Sequence, residues 1–206
     1  MNSSVFSVYA WLGFEHIADL DAYDHAVFLL ALCAIYRLRE WKQVLILVTA
    51  FTIGHSVTLA LAVLDLLRFP AFLVEMLIPI TIILSSLYNV WQGSPDSSHR
   101  RSPDDEQKLR FNYVIALLFG LIHGMGFSNF LRSSLMPGQE DQLWQQLLSF
   151  NLGIELGQVL IVGFVLLMSY LAMEVARIRQ HSWNLFVSGA AAGIALVLLM
   201  GVLRGG

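Results

Sequence analysis

The chain has 206 residues, of which 57% are hydrophobic and 13% charged, with a net charge of −3 and a mean hydropathy of +0.67. A soluble domain carries roughly 25% charged residues, so this composition excludes an ordinary soluble protein and indicates a polytopic membrane protein. The chain has no basic patch, which excludes nucleic acid as a partner. Its single cysteine, Cys33, lies in an apolar run and excludes a disulfide framework.

The apolar stretches predict the order of the elements. Residues 1–20 are rich in aromatic side chains and are predicted to form an interfacial segment at the level of the lipid headgroups. Six stretches follow, each close to the ~20 residues that a helix needs to cross a bilayer. Their predicted bounds are 22–38, 42–64, 70–91, 111–133, 146–174 and 183–203, with a cytoplasmic linker at 93–109. We therefore expect an all-α, polytopic transmembrane helix bundle that forms one domain over 1–206, with six spans or, counting the first segment, seven helices.

The basic residues predict the orientation of the bundle. Nine of the twelve lie between spans 1 and 2, spans 3 and 4, or spans 5 and 6: Arg37, Arg39, Lys42, Arg100, Arg101, Lys108, Arg110, Arg177 and Arg179. Because loops that carry Lys and Arg stay in the cytoplasm, both termini are expected to face outward.

The polar stretch 16–25 is the first sign of a functional site. It holds His16, His25 and three aspartates immediately before an apolar run. In a helix, Asp21, Asp24 and His25 would share one face, and such side chains at the mouth of a span are costly enough to indicate a function. The alternative is a solvated helix start, since aspartate suits the positive end of the helix dipole.

Further histidines and carboxylates fall at a similar depth in later spans. His55 and His123 each lie thirteen residues after a basic residue at the cytoplasmic end, which places them ~20 Å into the bundle. Glu75 and Glu155 lie near the outer ends of spans that run the other way. With His25, five helices would supply polar side chains to the outer half of the membrane, so one shared site is predicted. A buried neutral histidine bonded between helices, or a protonated or histidine-paired glutamate, is the alternative at each position.

Neighbouring polar residues are predicted to support this site. The hydroxyls of Thr52 and Ser56 would satisfy backbone carbonyls or orient an imidazole, while Asn151, Glu155 and Gln158 share one face of their helix. Gly120 and Gly124 form a small-residue surface that allows close approach of another helix. Asp21 completes the supporting set.

Imidazoles and carboxylates without a thiolate suit a divalent transition metal, and three histidines with a carboxylate can bind zinc tetrahedrally. The candidate ligands are His16, Asp24, His25, His55, Glu75, His123 and Glu155. Open to the outside, such a site would capture a metal for import. With one free coordination position, it would instead activate water for hydrolysis. A third interpretation is that the polar residues only hold helices together.

Four motifs together resemble the HupE/UreJ family of hydrogenase and urease accessory membrane proteins. They are Asp24-His25-x-x-Phe28 and the stretches 49–59 (TAFTIGHSVTL), 119–127 (FGLIHGMGF) and 150–158 (FNLGIELGQ). The resemblance implies a small, multi-pass protein of the bacterial inner membrane, and some members are nickel permeases. It also implies that Asp24, His25, His55, His123 and Glu155 handle the metal. The spacing departs from the family's nickel signature, because Asp21 is followed by alanine and the Asp-His pair comes only at Asp24-His25.

We therefore expect an integral membrane protein that binds a transition metal and acts as a permease for zinc or nickel. The alternative is an intramembrane metal-dependent hydrolase whose site opens to the periplasm. The expected partners are the lipid bilayer and the metal ion, and the sequence leaves a homo-oligomer open. The chain lacks a P-loop, so an ion gradient, the membrane potential or trapping of the metal would have to drive transport.

Overall fold

The computed structural model describes residues 3–19, 23–93, 103–126 and 143–205. Over these residues the chain forms seven helices and no strand. The helices are α1 (Ser3–Ala18), α2 (Asp24–Cys33), α3 (Trp41–Val63), α4 (Ala71–Gln92), α5 (Pro103–Gly126), α6 (Leu143–Tyr170) and α7 (Gln180–Arg204). A short 3₁₀ turn, Leu38–Glu40, precedes α3, and α6 continues into a π-helical segment, Leu171–Val175. The predicted all-α polytopic bundle is confirmed.

Five of the helical stretches are long and apolar enough to cross a membrane: Leu38–Val63, Ala71–Gln92, Gln107–Gly126, Leu143–Val175 and Gln180–Arg204. They correspond to the second to sixth predicted spans. The first predicted span, 22–38, is shorter than expected, because its helix α2 has only 10 residues. Such a helix rises ~15 Å, which is about half of the ~30 Å hydrocarbon core.

Side chains from other helices bond to backbone carbonyls at and just beyond the end of α2. The side-chain amide of Asn89 donates to the carbonyl oxygen of Ala31 at 2.7 Å, and that of Gln180 donates to Ile35 at 2.9 Å. The hydroxyl of Ser169 donates to the carbonyl oxygen of Tyr36 at 3.2 Å. Backbone N–H groups of Ala34 and Tyr36 also bond to Ala31 and Cys33. Backbone and side-chain donors together therefore satisfy the carbonyls of this buried helix end.

Helices α1 and α2 pack along α6, one after the other. A Cβ atom added at Gly153 would overlap the carbonyl oxygen of Ala10, while Ile17 lies against Gly157 further along α6. Beyond α2, the carbonyl oxygen of Tyr36 accepts a hydrogen bond from Ser169, which lies still further along α6. The two short helices therefore run in the same direction as α6 and together cover the path of one long helix. Helix α1 ends at Ala18 and α2 begins at Asp24, at the predicted site.

Helices α3 and α5 approach each other closely through glycine. A Cβ atom at Gly120 would overlap the carbonyl oxygen of Phe51, and one at Gly124 would overlap that of His55. Gly54 on α3 likewise lies against the carbonyl oxygen of Leu117. This small-residue packing fixes the height of α5 against α3 and brings the end of α5 to the level of His55.

The predicted linker at 93–109 is shorter than expected. Gly93 follows the end of α4, and α5 already begins at Pro103, so residues 103–109 are helical. Residues 94–102 lie outside the described residues, as does the final part of the fourth predicted span, 127–133.

Candidate metal centre

Four histidines from four helices meet at the break between α1 and α2. The ring centroids of His16 and His25 are 4.8 Å apart, those of His25 and His55 are 5.5 Å apart, and those of His25 and His123 are 5.2 Å apart. One ring nitrogen from each of His16, His25 and His55 lies within 4.8 Å of the other two. The sequence predicted a shared depth for His25, His55 and His123, and the structure places these three in one cluster with His16.

The end of α1 and the start of α2 supply two of the four rings. His16 lies in the last turn of α1 and His25 is the second residue of α2, so the two rings face each other across the break. His55 lies in the middle of α3, and its ring is fully buried. The glycine contact between α5 and α3 brings His123 beside them, also fully buried.

Hydrogen bonds fix the protonated nitrogen of two of the rings. Nδ1 of His25 lies 3.0 Å from Oδ1 of Asp24, and Nδ1 of His123 lies 2.9 Å from the carbonyl oxygen of Phe119. A backbone carbonyl oxygen and the oxygen of an ionised carboxylate can only accept a hydrogen bond, so Nδ1 of each ring carries the proton. In a neutral imidazole, Nε2 then presents its lone pair, which is the form that binds a metal.

Several ring nitrogens of the cluster have no hydrogen-bond partner among the described residues. Nε2 of His25, Nε2 of His123 and both ring nitrogens of His55 are buried and lack a hydrogen-bond partner among the described residues. Buried polar groups of this kind cost free energy when they stay unsatisfied. A bound cation would satisfy several of them at once, so the donor set fits a divalent transition metal.

Asp24 supports the cluster in two ways. Its Oδ1 accepts a hydrogen bond from the backbone N–H of His25 at 2.8 Å as well as the ring contact described above. This carboxylate–histidine pair is the arrangement that commonly orients a metal-binding imidazole. Asp21, predicted as a further supporting residue, lies outside the described residues.

An open cavity of about 940 Å³ adjoins the histidine cluster. It is lined by α1, by the starts of α2 and α4 and by the end of α5. Its polar lining residues are Glu15, His16, Asp19, Asp24, His25, Glu75 and His123, and its larger apolar ones are Trp11, Leu12, Phe14 and Ile78. Glu75 therefore faces the same cavity as three of the histidines, whereas His55 lies behind them.

The other predicted residues lie on α3 and α6 and do not line this cavity. The carboxylate of Glu155 accepts a hydrogen bond from Thr49 at 3.0 Å, and the hydroxyl of Thr52 lies 2.6 Å from Oε1 of Gln158. Ser56 donates to the carbonyl oxygen of Thr52 at 2.7 Å, so its hydroxyl satisfies the backbone rather than orienting an imidazole. Asn151, also on α6, has a buried Oδ1 that lacks a hydrogen-bond partner in the described part of the chain.

Sequence reasoning missed the aromatic residues that hold the imidazoles in place. The rings of Phe28 and Phe51 stack with centroids 4.7 Å apart, and their centroids lie 5.0 and 5.2 Å from that of His123. Both phenylalanines are fully buried. Phe28 is three residues after His25 and Phe51 is four before His55, so the helical period was the signal that could have found them.

Comparison with known proteins gives one family. A family model described as "HupE / UreJ protein" matches residues 1–203. The match spans the four histidines and all seven helices, apart from the last residue of α7. No curated protein and no solved structure matches the chain.

Proposed function

The chain belongs to the HupE / UreJ family, and from this premise we propose that it captures a divalent transition metal and passes it across the membrane. The observation that carries the proposal is the buried cluster of His16, His25 and His55, with one ring nitrogen of each within 4.8 Å of the others. Imidazole nitrogen suits nickel, zinc and cobalt. Nickel or zinc is the proposed cargo, with nickel favoured by the family resemblance.

In this proposal each of the four histidines supplies one ligand nitrogen. His25 and His123 present Nε2 because their Nδ1 atoms are held by Asp24 and by a backbone carbonyl. His55 contributes a nitrogen from behind, and His16 contributes one from the end of α1. Because these ligands come from four helices, a small change in how the helices pack would alter how tightly the metal is held.

The proposed direction follows from the charges. The cavity is lined by the first turns of α4 and the last turn of α5, whereas Lys108 and Arg110 lie in the early turns of α5. If the basic end faces the cytoplasm, the cavity opens outward, and the ion is captured from outside. In a bacterium with two membranes, the protein would lie in the inner one.

A second candidate function is metal-dependent hydrolysis in the membrane, and the size of the cavity favours it. Six waters around an ion occupy only ~180 Å³ at ~30 Å³ each, against about 940 Å³ here. The apolar walls formed by Trp11, Phe14 and Ile78 would suit an organic substrate. A metal that stays bound would then supply an activated water, and the histidines would hold it.

Elemental analysis of the purified protein tests the metal centre. The wild type is compared with His55→Ala/His123→Ala and with the control His181→Ala, whose histidine is exposed at the start of α7. We expect about one metal per chain in the wild type and the control after incubation with nickel or zinc, and none in the double variant. Absence of bound nickel, zinc and cobalt from the wild type would refute both candidate functions.

Proteoliposomes separate the two functions. With a metal-sensitive dye inside, a permease gives an influx of nickel or zinc that the double variant lacks. A protein that holds zinc firmly and lets no metal into the vesicles would favour hydrolysis instead.

A further inference from the structure

The cavity beside the histidines carries a ring of negative charge. Four carboxylates line it: Glu15 on α1, Asp19 just after it, Asp24 on α2 and Glu75 on α4. Glu15, Asp19 and Glu75 are exposed, and Asp24 is half-buried. No lysine or arginine lines the cavity among the residues that the structure describes.

Unsatisfied nitrogens at the same cavity point independently to a cation. His25 and His123 line it although they are only 3% and 0% exposed. The Nε2 atom of each is buried and has no hydrogen-bond partner within the described segments. The cavity thus combines negative charges near its opening with lone pairs beneath them, which is an arrangement that attracts cations and disfavours anions.

We propose that Glu15 and Glu75 form an outer loading site, which draws in a free, hydrated divalent cation and delivers it to the histidine cluster. This inference rests on the function proposed above and specifies its substrate. Exposed carboxylates remain hydrated, so they hold the ion loosely and act chiefly on the rate of arrival. A potential of this kind raises the association rate of an oppositely charged ligand by ~10- to 1,000-fold, and salt screens it.

The two glutamates come from different helices. Glu15 lies one residue before His16 on α1, whereas Glu75 lies on α4, which supplies no histidine to the cluster. An ion attracted by these two glutamates would therefore share the cavity with the imidazoles without displacing one of them as a ligand. The same negative rim would repel a metal bound to an anionic chelator and the headgroup of an anionic lipid.

Rapid mixing of the purified full-length protein with Co²⁺ tests the loading site, because the visible absorption of cobalt changes when imidazoles bind it. The variant Glu15→Gln/Glu75→Gln removes two charges from the rim. The control Asp65→Asn/Glu174→Gln removes two exposed charges outside the cavity. Asparagine suits Asp65, whose φ is +61°, because asparagine tolerates the left-handed region.

At ~10 mM ionic strength we expect the rim variant to associate roughly tenfold more slowly than the wild type and the control. At ~0.5 M salt the difference should disappear, because the Debye length falls to a few ångströms. The amount of cobalt bound at equilibrium should be the same in all three proteins.

Two outcomes would overturn the inference while leaving the metal centre intact. One is an unchanged association rate at low salt in a rim variant that still binds cobalt stoichiometrically. The other is an association rate of nickel that rises when nickel–citrate complex is added at a fixed concentration of free Ni²⁺. Such a rise would show that the anionic chelate is itself a substrate. Failure of the wild type to bind metal would instead refute the proposed function itself.

Discussion

The histidines of the cluster differ in how each ring is held. His25 is oriented by the carboxylate of Asp24, its immediate neighbour, and His123 by the carbonyl oxygen of Phe119, one turn earlier on its own helix. Both are local contacts, so each ring is pre-oriented within its own helix before the helices pack. His55 lacks such a contact among the described residues and depends on its neighbours for its orientation. A bound metal would therefore order His55 most.

Glu155 gives the sharpest test at the scale of single residues, because the family resemblance and the observed contact lead to different expectations. The resemblance implies that it handles the metal, whereas its carboxylate accepts a hydrogen bond from Thr49 and does not line the cavity. Glu155→Gln keeps an oxygen that Thr49 can donate to. We therefore predict that the variant retains about one metal per chain in elemental analysis.

The matched comparison is Asp24→Asn, which changes a carboxylate that contacts the cluster directly. Metal affinity should fall by ~10- to 100-fold in that variant, as it does when a residue that orients a ligand is lost. Loss of metal from Glu155→Gln under the same conditions would show that Glu155 contributes to the site, as the resemblance implies.

Among the elements, the long helices were predictable and α2 was not. The bounds of α3, α4, α6 and α7 lie within a few residues of the predicted spans, because the length of an apolar run dominates where a spanning helix begins and ends. Hydropathy cannot distinguish such a run from one whose helix ends within the bundle. The side chains that bond to the carbonyls near the end of α2, such as Asn89 and Gln180, are far away in sequence, so the local sequence does not reveal these contacts.

The packing of α3 against α5 leads to a prediction on stability. A Cβ atom at Gly120 would overlap the carbonyl oxygen of Phe51, and backbone cannot move aside without separating the two helices. Gly120→Ala should therefore destabilise the bundle by about 1–3 kcal/mol or more, as overpacking does, and weaken metal binding by displacing His123. Thermal unfolding in detergent, together with metal content, measures both effects.

Gly163→Ala is the matched control, since a Cβ atom added there meets no atom within 4 Å. It makes the same chemical change in α6 and should leave the unfolding temperature unchanged or slightly raised, because alanine favours the helix more than glycine does. Equal behaviour of the two variants would contradict the close contact between α3 and α5.

At the scale of the whole molecule, the depth of a residue in the bundle is more predictable from the sequence than the side of its helix on which it lies. His55 and His123 were assigned a common depth by counting residues from a basic end, and they do lie in one cluster. Glu155 was assigned to the same half of the membrane, yet its carboxylate lies against Thr49 between α3 and α6. Counting along a helix gives the depth of a residue, whereas the side it faces depends on packing between elements distant in sequence.

The distribution of basic residues predicts which side of the membrane each loop faces, and the single buried cysteine makes this testable. Cys33 is fully buried, so the unmodified protein should not react with a membrane-impermeant maleimide and serves as the blank. Leu66→Cys places a thiol in the exposed connection between α3 and α4, and His181→Cys places one near the start of α7, beside Arg177 and Arg179. By the positive-inside rule, intact cells with a permeabilised outer membrane should label the first variant, whereas the second should react only after the inner membrane is opened. If only the His181→Cys variant is labelled in intact cells, the protein has the opposite orientation. The cavity would then open to the cytoplasm, as an exporter or an intracellular enzyme requires.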